Sequence, residues 1–290
     1  MSYIKSAHVD WYSFTTRLKS INDDAATMED VAINSIAYVV GDEILDIVFN
    51  RDGWEAGSGR RPYKGSLWNN AGVGIHFGGQ STVLVEFTGQ GCEYLRSVGA
   101  LQSIIKATYE RCTRIDIAVD IQASGLVNAI ADSASNNRIS TVGESKSPTG
   151  HTRYIGSRTS EKLVRVYEYY PPNPRAGTTR VEYEHKKKQA KITAGWVTQM
   201  PVEDVANAIG KIYEWKHEAM QYNEYVPKMV SPINENRSTA KKMQWIARQV
   251  APAIKKMIAE GDIKNPEQWL LEMFLPDDYE PGDYNIPSPF

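Results

Sequence analysis

Apolar and polar residues alternate with a period of two along several short segments, a pattern that predicts β-strands with one buried face. These segments are 8–15, 81–88, 114–120, 153–158, 162–169 and 178–186. Apolar residues recur at helical spacing in other segments, which are 28–45, 92–112, 126–135, 202–220, 240–250 and 266–274, and a further helix is expected after Ala190. The pattern predicts an α+β fold with a mostly antiparallel sheet, helices packed on one face, and a C-terminal helical region.

Turn-forming residues separate these elements. Residues 50–73 are rich in Gly, Arg and aromatic residues, and they predict a long loop. The PPNP segment at 171–174 predicts a firm break between two strands, and residues 225–236 predict a linker. Pro252 is expected to end or kink the helix that precedes it, because proline removes a helical hydrogen bond.

The composition excludes several classes of protein. Apolar residues make up 41% of the 290 residues, and no apolar run approaches the roughly 20 residues that a membrane span needs. The N-terminus lacks the apolar core of a signal peptide, so we expect a cytoplasmic protein. Cys92 and Cys112 are the two cysteines, too few for a disulfide scaffold or a four-cysteine zinc site.

Charge is unevenly distributed along a chain whose net charge is −2. Basic residues outnumber acidic ones 11 to 4 over residues 146–191 and 6 to 1 over 234–258, whereas acidic residues dominate 263–290 by 6 to 1. Two basic blocks and an acidic tail are consistent with a body that binds a polyanion. Ordinary solvated surfaces explain the same counts equally well.

Three predicted strands each carry a polar face opposite an apolar one, because successive side chains on a strand point to opposite sides. The polar faces hold four carboxylates, those of Asp116, Asp120, Glu182 and Glu184. Clustered carboxylates repel one another unless a cation or protons hold them, and oxygen ligands on a rigid sheet suit Mg²⁺ or Mn²⁺. The alternative is the wet face that many antiparallel sheets have.

Other site chemistries have little support in the sequence. No two of the five histidines lie two residues apart, so a His-hydrophobic-His metal motif is absent. The GVGIHFGG segment at 72–79 lacks the Lys-Ser/Thr pair of a phosphate-binding loop and is interpreted as a turn into a strand. No GxSxG motif occurs.

Five motifs occur in a characteristic order: VDWYSFT, GQGCEYL, TRIDIAVD, TRYIGSRTSEKLVRVYEY and TRVEYEHKK. Together they resemble the replication initiation factor family. This family comprises the rolling-circle initiators of small plasmids and filamentous phages, with related relaxases of integrative conjugative elements. The resemblance covers roughly residues 8–190.

The resemblance implies a metal-dependent, site-specific enzyme that nicks and joins DNA. A tyrosine would attack one strand at the origin, remain linked to the 5′ phosphate and free a 3′-OH. The motifs place this nucleophile at Tyr167 and the acidic motif at Asp116 and Asp120, and they align Arg180, Glu182 and Glu184 with the Arg-x-Glu-x-Glu strand. Family members commonly have Tyr-Glu-Lys where this chain has Tyr-Glu-Tyr-Tyr, so Tyr154, Tyr169 and Tyr170 remain alternative nucleophiles.

Basic residues around these motifs are candidates for DNA contacts. Arg165 shares a strand face with Tyr167 and can bind the scissile phosphate or lower the pKa of the tyrosine. The predicted DNA-binding residues are Arg153, Arg158, Arg180, Lys186, Arg237, Lys241 and Lys242. A plain lysine-bearing surface is an equally good interpretation of the last three, which lie near Trp245.

The resemblance also implies an organisation and a setting. Residues 1–200 would form the nicking and joining domain, 201–262 a helical DNA-binding or accessory region, and 263–290 an acidic, Pro-rich tail. Mg²⁺ or Mn²⁺ would be the cofactor, and double-stranded and single-stranded origin DNA, a host helicase and a host polymerase the partners, in the cytoplasm of a bacterial host. A homodimer, a relaxase with the same chemistry, and a non-catalytic DNA-binding regulator remain open.

Overall fold

The computed structural model describes residues 3–20, 25–49, 53–134, 141–221 and 251–263, together with Asn265, Pro266 and Trp269. The chain forms two compact units, Met1–Ile233 and Asn234–Phe290. The first unit extends past the boundary predicted at residue 200. The linker predicted at 225–236, the helix predicted at 240–250, most of that at 266–274, and the acidic tail lie outside the described residues.

The described strands of the first unit form one antiparallel ten-stranded sheet. Its strands are β1 (Lys5–Arg17), β2 (Glu55–Ser58), β3 (Gly65–Trp68), β4 (Val73–Phe77), β5 (Thr82–Phe87), β6 (Cys112–Ile121), β7 (Thr141–Ser147), β8 (Gly150–Ile155), β9 (Lys162–Tyr169) and β10 (Thr179–Lys186). Their order across the sheet is β2-β3-β4-β5-β1-β6-β10-β9-β8-β7. Thus β6, β10 and β9 are neighbours in the sheet. Their polar faces can therefore form one surface.

The helices of the first unit pack against the apolar face of the sheet. They are α1 (Met28–Val40), α2 (Asp42–Phe49), α3 (Gly89–Ser97), α4 (Leu101–Thr108), α5 (Val127–Asp132), α6 (Lys187–Val197) and α7 (Val202–Ile212), with 3₁₀ turns at Tyr109–Arg111 and Glu218–Met220. Their buried residues join Ile117, Val166 and Tyr183 of the sheet in one core. Helix α8 (Ala251–Ala259) belongs to the second unit. None of the described helices has the length and apolar character that a membrane span requires.

Several predicted helices are shorter in the structure because residues with positive φ interrupt them. The helix predicted at 28–45 is two helices separated by Gly41 at φ 86°, and that at 92–112 contains a break near Gly99 at φ 73°. Glycine adopts this left-handed conformation without the steric cost that a Cβ imposes. The helix predicted at 202–220 ends at Ile212. Pro252 lies within α8, and the segment that precedes Ala251 is outside the described residues.

The long loop predicted at 50–73 is the main error in the sheet. It contains β2 and β3. Strand β2 pairs with β3, and β3 pairs with β4. Both strands have four residues and contain Gly and Ser, so no alternation of apolar residues marks them. Strand β7 was missed for the same reason, because Thr141–Ser147 contains Gly and polar residues almost throughout.

Candidate active site

A row of side chains crosses the polar face of the sheet at right angles to the strands. Arg180 on β10 lies opposite Asp120 on β6 and opposite Tyr167 on β9. Tyr167 in turn lies opposite Thr152 on β8, which pairs with Ser145 on β7. Because paired residues on neighbouring strands point to the same side, the antiparallel register places these five side chains in a line. We call Asp120, Arg180, Tyr167, Thr152 and Ser145 the cross-strand row.

Tyr167 is half-buried within this row, and its hydroxyl has a carboxylate partner. The Oη atom donates a hydrogen bond to Oε2 of Glu182 at 2.8 Å. The ring meets that of Tyr169 edge to face, with 5.5 Å between the centroids. Burial, and then the negative charge of Glu182, raise the pKa of the Tyr167 hydroxyl well above its usual value. The hydroxyl is therefore protonated at neutral pH and directed at a group that can accept its proton.

Glu182 belongs to a set of three carboxylates that share two guanidinium groups. Arg165 Nη2 contacts Oε1 of Glu182 and lies 3.3 Å from Oδ2 of Asp116. Arg114 donates from Nε to Oδ1 of Asp116 at 2.9 Å, and its Nη2 is 2.9 Å from Oε2 of Glu184. We call Asp116, Glu182 and Glu184 the carboxylate cluster. Its negative charge is partly neutralised by arginines of the same sheet face.

The carboxylate cluster is buried, and this governs its protonation. Asp116 and Glu182 have 1% and 2% of their surface exposed. Burial, with the added repulsion of Glu182, raises the pKa of Asp116 well above its usual range despite the opposing effect of Arg114. Glu184 behaves differently, because Lys186 and Arg114 lower the pKa of its carboxyl against the effect of burial. Two close, buried carboxylates with one raised pKa form a site that gains from a proton or a cation.

A second charged group surrounds Arg180 at the other end of the row. Its guanidinium donates two hydrogen bonds to Asp120, at 2.6 and 2.9 Å, and a third to Oδ1 of Asp10 at 2.9 Å. His8 Nε2 lies 3.5 Å from the same Asp10 oxygen. Burial alone would raise the pKa of Asp10, but His8 and Arg180 lower it to about 2. Asp10 is therefore ionised at neutral pH.

The four residues predicted as metal ligands are divided between these two groups. Asp116, Glu182 and Glu184 lie together, whereas Asp120 is bound by Arg180. Within the residues that the structure describes, no set of three or more His, Cys, Asp or Glu side chains has a ready metal-binding arrangement. Asp116 and Glu182 still fit Mg²⁺ or Mn²⁺ in chemistry, because they offer paired hard oxygens in a buried site. The metal assignment stays a prediction.

The predicted DNA-binding residues have diverse surroundings. Arg153 lies on the helix side of the sheet, where it donates to Asn128 and Asp132, away from Tyr167. Arg158 lies over the ring of Tyr154 at 4.5 Å, and Lys186 contacts Glu184. Arg180 is buried with 4% exposed. Arg237, Lys241 and Lys242 lie outside the described residues, so contacts of all seven with DNA stay predictions.

The alternative tyrosines differ from Tyr167 in their position. Tyr154 shares the polar face and lies opposite Arg165, and Tyr169 is at the end of β9. Tyr170 follows the strand, and its backbone N–H donates to the carbonyl of Thr149. Among the described residues, Tyr167 alone of these four donates its hydroxyl to a residue of the carboxylate cluster.

Sequence reasoning missed several residues of the site. Asp10 and His8 come from β1, and Arg114 bridges Asp116 and Glu184 while lying 4.5 Å from the Trp11 ring. A usable signal was present for Asp10, because aspartate is unfavourable inside a strongly β-forming segment such as HVDWYSFT. The bulge between Val9 and Trp11 breaks the alternation, which explains why its face could not be assigned from the sequence.

Comparison with solved structures finds the same fold in a rolling circle replication initiator protein from Geobacillus stearothermophilus. The match has a TM-score of 0.51 and 20% sequence identity, and it covers 76% of this chain and 90% of that chain. No protein-family model and no curated protein matches the sequence. The resemblance seen in the ordered motifs is thus confirmed at the level of the fold.

Proposed function

We propose that this protein initiates rolling-circle replication by nicking and rejoining origin DNA through a tyrosine–phosphate link. The contact between the Tyr167 hydroxyl and Glu182, on a sheet face flanked by Arg165 and Arg180, is the observation that carries the proposal. The fold shared with an initiator protein supports it. Double-stranded and single-stranded origin DNA would be the partners, with a helicase and a polymerase of the host.

The chemistry follows from the position of Tyr167. Its Oη attacks the phosphorus of one DNA linkage, so the O–P bond to tyrosine forms as the bond from phosphorus to the 3′ oxygen breaks. Glu182 accepts the phenolic proton through the existing hydrogen bond, and the released 3′ oxygen takes a proton from solvent water. Attack of a 3′-OH on the tyrosine link reverses these bonds and rejoins the strand without any external energy source.

Arginine side chains supply the positive charge that the reacting phosphate needs. Arg165 comes from the same strand as Tyr167, and 30% of its side chain is exposed, so an incoming phosphate can reach it. Its planar guanidinium can bind two phosphate oxygens at once. Arg180 lies opposite Tyr167, and its positive charge opposes the rise in the pKa of the tyrosine.

Asp116 and Glu182 are the residues that would hold Mg²⁺ or Mn²⁺. Such an ion, when bound, polarises the scissile phosphate and stabilises the leaving 3′ oxygen. The negative charge of Glu182 raises the pKa of Tyr167, and neutralising that charge makes the phenol easier to ionise. Arg165 binds the same carboxylate and is placed to meet a DNA phosphate as well.

The test uses a pool of single-stranded oligonucleotides with 30 random positions and a 3′ label, because the nick site is unknown. Incubation of the full-length protein with the pool and MnCl₂ is expected to give a labelled covalent adduct, which is absent with EDTA. Tyr167→Phe should lose the adduct and keep DNA binding, since the change removes one oxygen from a half-buried ring. Sequencing of the linked DNA gives the site, and peptide mapping gives the linked residue.

Two outcomes would contradict the proposal. A Tyr167→Phe protein that still forms the adduct shows that another tyrosine is the nucleophile, with Tyr154 and Tyr169 as the variants to compare. A wild-type protein that binds DNA but forms no adduct with any divalent ion is a DNA-binding regulator rather than a nicking enzyme.

A further inference from the structure

A cavity of about 520 Å³ opens beside Tyr167, between the β7–β8 hairpin and the turn that follows β9. Its lining residues include Ser145, Ser147 and Thr152, which carry hydroxyls, and the aromatic residues Tyr167, Tyr169 and Tyr170. Its volume lies in the range of about 300–1,000 Å³ that small-ligand sites have. The proposed nucleophile is therefore part of the wall of a cavity large enough for a nucleoside-sized group.

The lining of this cavity suits an uncharged, flat group. No lysine or arginine is among its lining residues, all of which the structure describes. The one acidic lining residue is Glu168, whose carboxylate accepts a hydrogen bond from the backbone N–H of Gly125 at 2.7 Å. Aromatic rings bind bases by stacking, and hydroxyls both donate to and accept from base edges. The cavity therefore offers no basic side chain to bind a phosphate.

A smaller neighbouring cavity provides the contrast. It measures about 270 Å³, is lined by Arg175, Arg180 and Asp120, and shares Tyr169 with the larger cavity. The Tyr169 side chain thus separates a wall that carries two guanidinium groups from a wall of hydroxyls and rings. A DNA strand presents the same two chemistries alternately, charged phosphates and flat bases.

We propose that the larger cavity binds one unstacked nucleobase of the nucleotide next to the scissile linkage, and so determines which DNA sequence is nicked. The inference rests on the proposed nicking function. Tyr169 provides the stacking surface, and its ring is already held edge to face against Tyr167. Thr152 reads the base edge, because it is the register partner of Tyr167 on the adjacent strand.

The hydrogen bonds of the described residues show which hydroxyls of the cavity are already occupied and which can bind a base. Ser147 Oγ lies 2.9 Å from Thr149 Oγ1 and also accepts from the Thr149 backbone N–H, so it stabilises the β7–β8 turn. The hydroxyls of Thr152 and Ser145 make no hydrogen bond to any described residue and remain available to a ligand. Thr152 is half-buried, whereas Ser145 is exposed at the edge. Thr152 is therefore the stronger candidate for base discrimination.

The test measures binding without chemistry, in full-length protein that carries Tyr167→Phe. Oligonucleotides of 30 random positions that bind this protein are selected and sequenced, and the position with one dominant base is identified. Replacing that base by an abasic residue is expected to weaken binding by about 5- to 150-fold, the range of base–aromatic stacking. Tyr169→Leu should cause a loss of the same size for the intact oligonucleotide and none for the abasic one.

Thr152→Val tests the hydroxyl at nearly constant side-chain volume. It should reduce the preference for the dominant base by about tenfold and leave the affinity for the abasic oligonucleotide unchanged. Thr152→Ser keeps the hydroxyl and should keep the preference. Lys146→Ala, on the same hairpin and paired with Glu144, should also change nothing.

The outcomes separate this inference from the proposed function. An adduct from the wild-type protein, with full base preference retained in Thr152→Val and Tyr169→Leu, overturns the cavity assignment alone. Base preference that is lost in both variants supports the cavity, even if the wild-type protein forms no adduct and the nicking proposal is wrong. Equal binding of abasic and intact oligonucleotides overturns the assignment in either case.

Discussion

Two aspartates on neighbouring strands of the polar face have opposite responses to their surroundings. His8 and Arg180 outweigh the burial of Asp10 and lower its pKa to about 2. For Asp116, burial outweighs the hydrogen bonds from Arg114, and its pKa is well above the usual range. One carboxylate therefore stabilises the fold, and the other, when ionised, destabilises it. This difference gives two tests that need no DNA.

Asp10→Asn should lower the free energy of unfolding at pH 7 by about 2 kcal/mol, from a pKa that falls from 3.8 to about 2. Because the folded-state pKa is the lower one, the stabilisation is present above pH 4 and is lost as the pH falls toward 2. Urea unfolding at pH 7 and pH 3 measures both values. If the free energies of unfolding of the wild type and the variant differ by the same amount at both pH values, the lowered pKa of Asp10 is contradicted.

Asp116→Asn should leave the stability of the metal-free protein unchanged or raise it, while abolishing adduct formation. The folded protein holds the Asp116 proton more tightly than the unfolded chain does. The contribution of Asp116 to the free energy of unfolding therefore falls as the pH rises above 4. The melting temperature of the variant should thus exceed that of the wild type at pH 8 and approach it at pH 4. Asp120→Asn is the matched control and should lower the melting temperature, because Arg180 loses a carboxylate partner. A clear fall for Asp116→Asn at pH 8 would show that its arginine contacts dominate.

At the scale of elements, the central strands were predictable and the periphery was not. Strands β6, β9 and β10 combine apolar alternation with charged residues on the other face, so both their extent and their orientation follow from the sequence. Strands β2, β3 and β7 lack this alternation. The pairing of carboxylates with Arg165 and Arg180 depends on strand register, which spacing within one strand does not contain.

Helix α1 offers a test at this scale, because its start depends on one residue. Thr27 accepts a hydrogen bond from the backbone N–H of Asp30, whose side chain accepts one from the Thr27 backbone N–H. Thr27→Ala should lower the free energy of unfolding by about 1 kcal/mol in chemical denaturation. Thr27→Ser keeps the capping oxygen and should restore most of this stability. No loss in Thr27→Ala would mean that the packing of α1, rather than its cap, sets its stability.

At the scale of the whole molecule, the division into two units separates the candidate site from three of the predicted DNA-binding residues. The candidate site lies entirely within Met1–Ile233, whereas Arg237, Lys241 and Lys242 belong to Asn234–Phe290. We expect residues 1–233 to fold alone and to retain adduct formation on single-stranded DNA. For duplex DNA, the logarithm of the binding constant falls as the logarithm of the salt concentration rises. In residues 1–233 this slope should be shallower than in the full-length protein by about 3 units, one for each predicted phosphate contact. An unchanged slope would exclude these three residues from DNA contact, and an unfolded fragment would contradict the division.

Strand β7 is the last in the order of the described sheet, so its residues pair with one neighbour, whereas the strand of Tyr167 pairs with two. A substitution on β7 therefore disturbs one set of inter-strand hydrogen bonds, and a substitution on the strand of Tyr167 disturbs two. If the larger cavity binds a base as proposed, substitutions of β7 residues such as Ser145 should reshape its outer edge at less cost in sheet pairing than substitutions on β8 or β9.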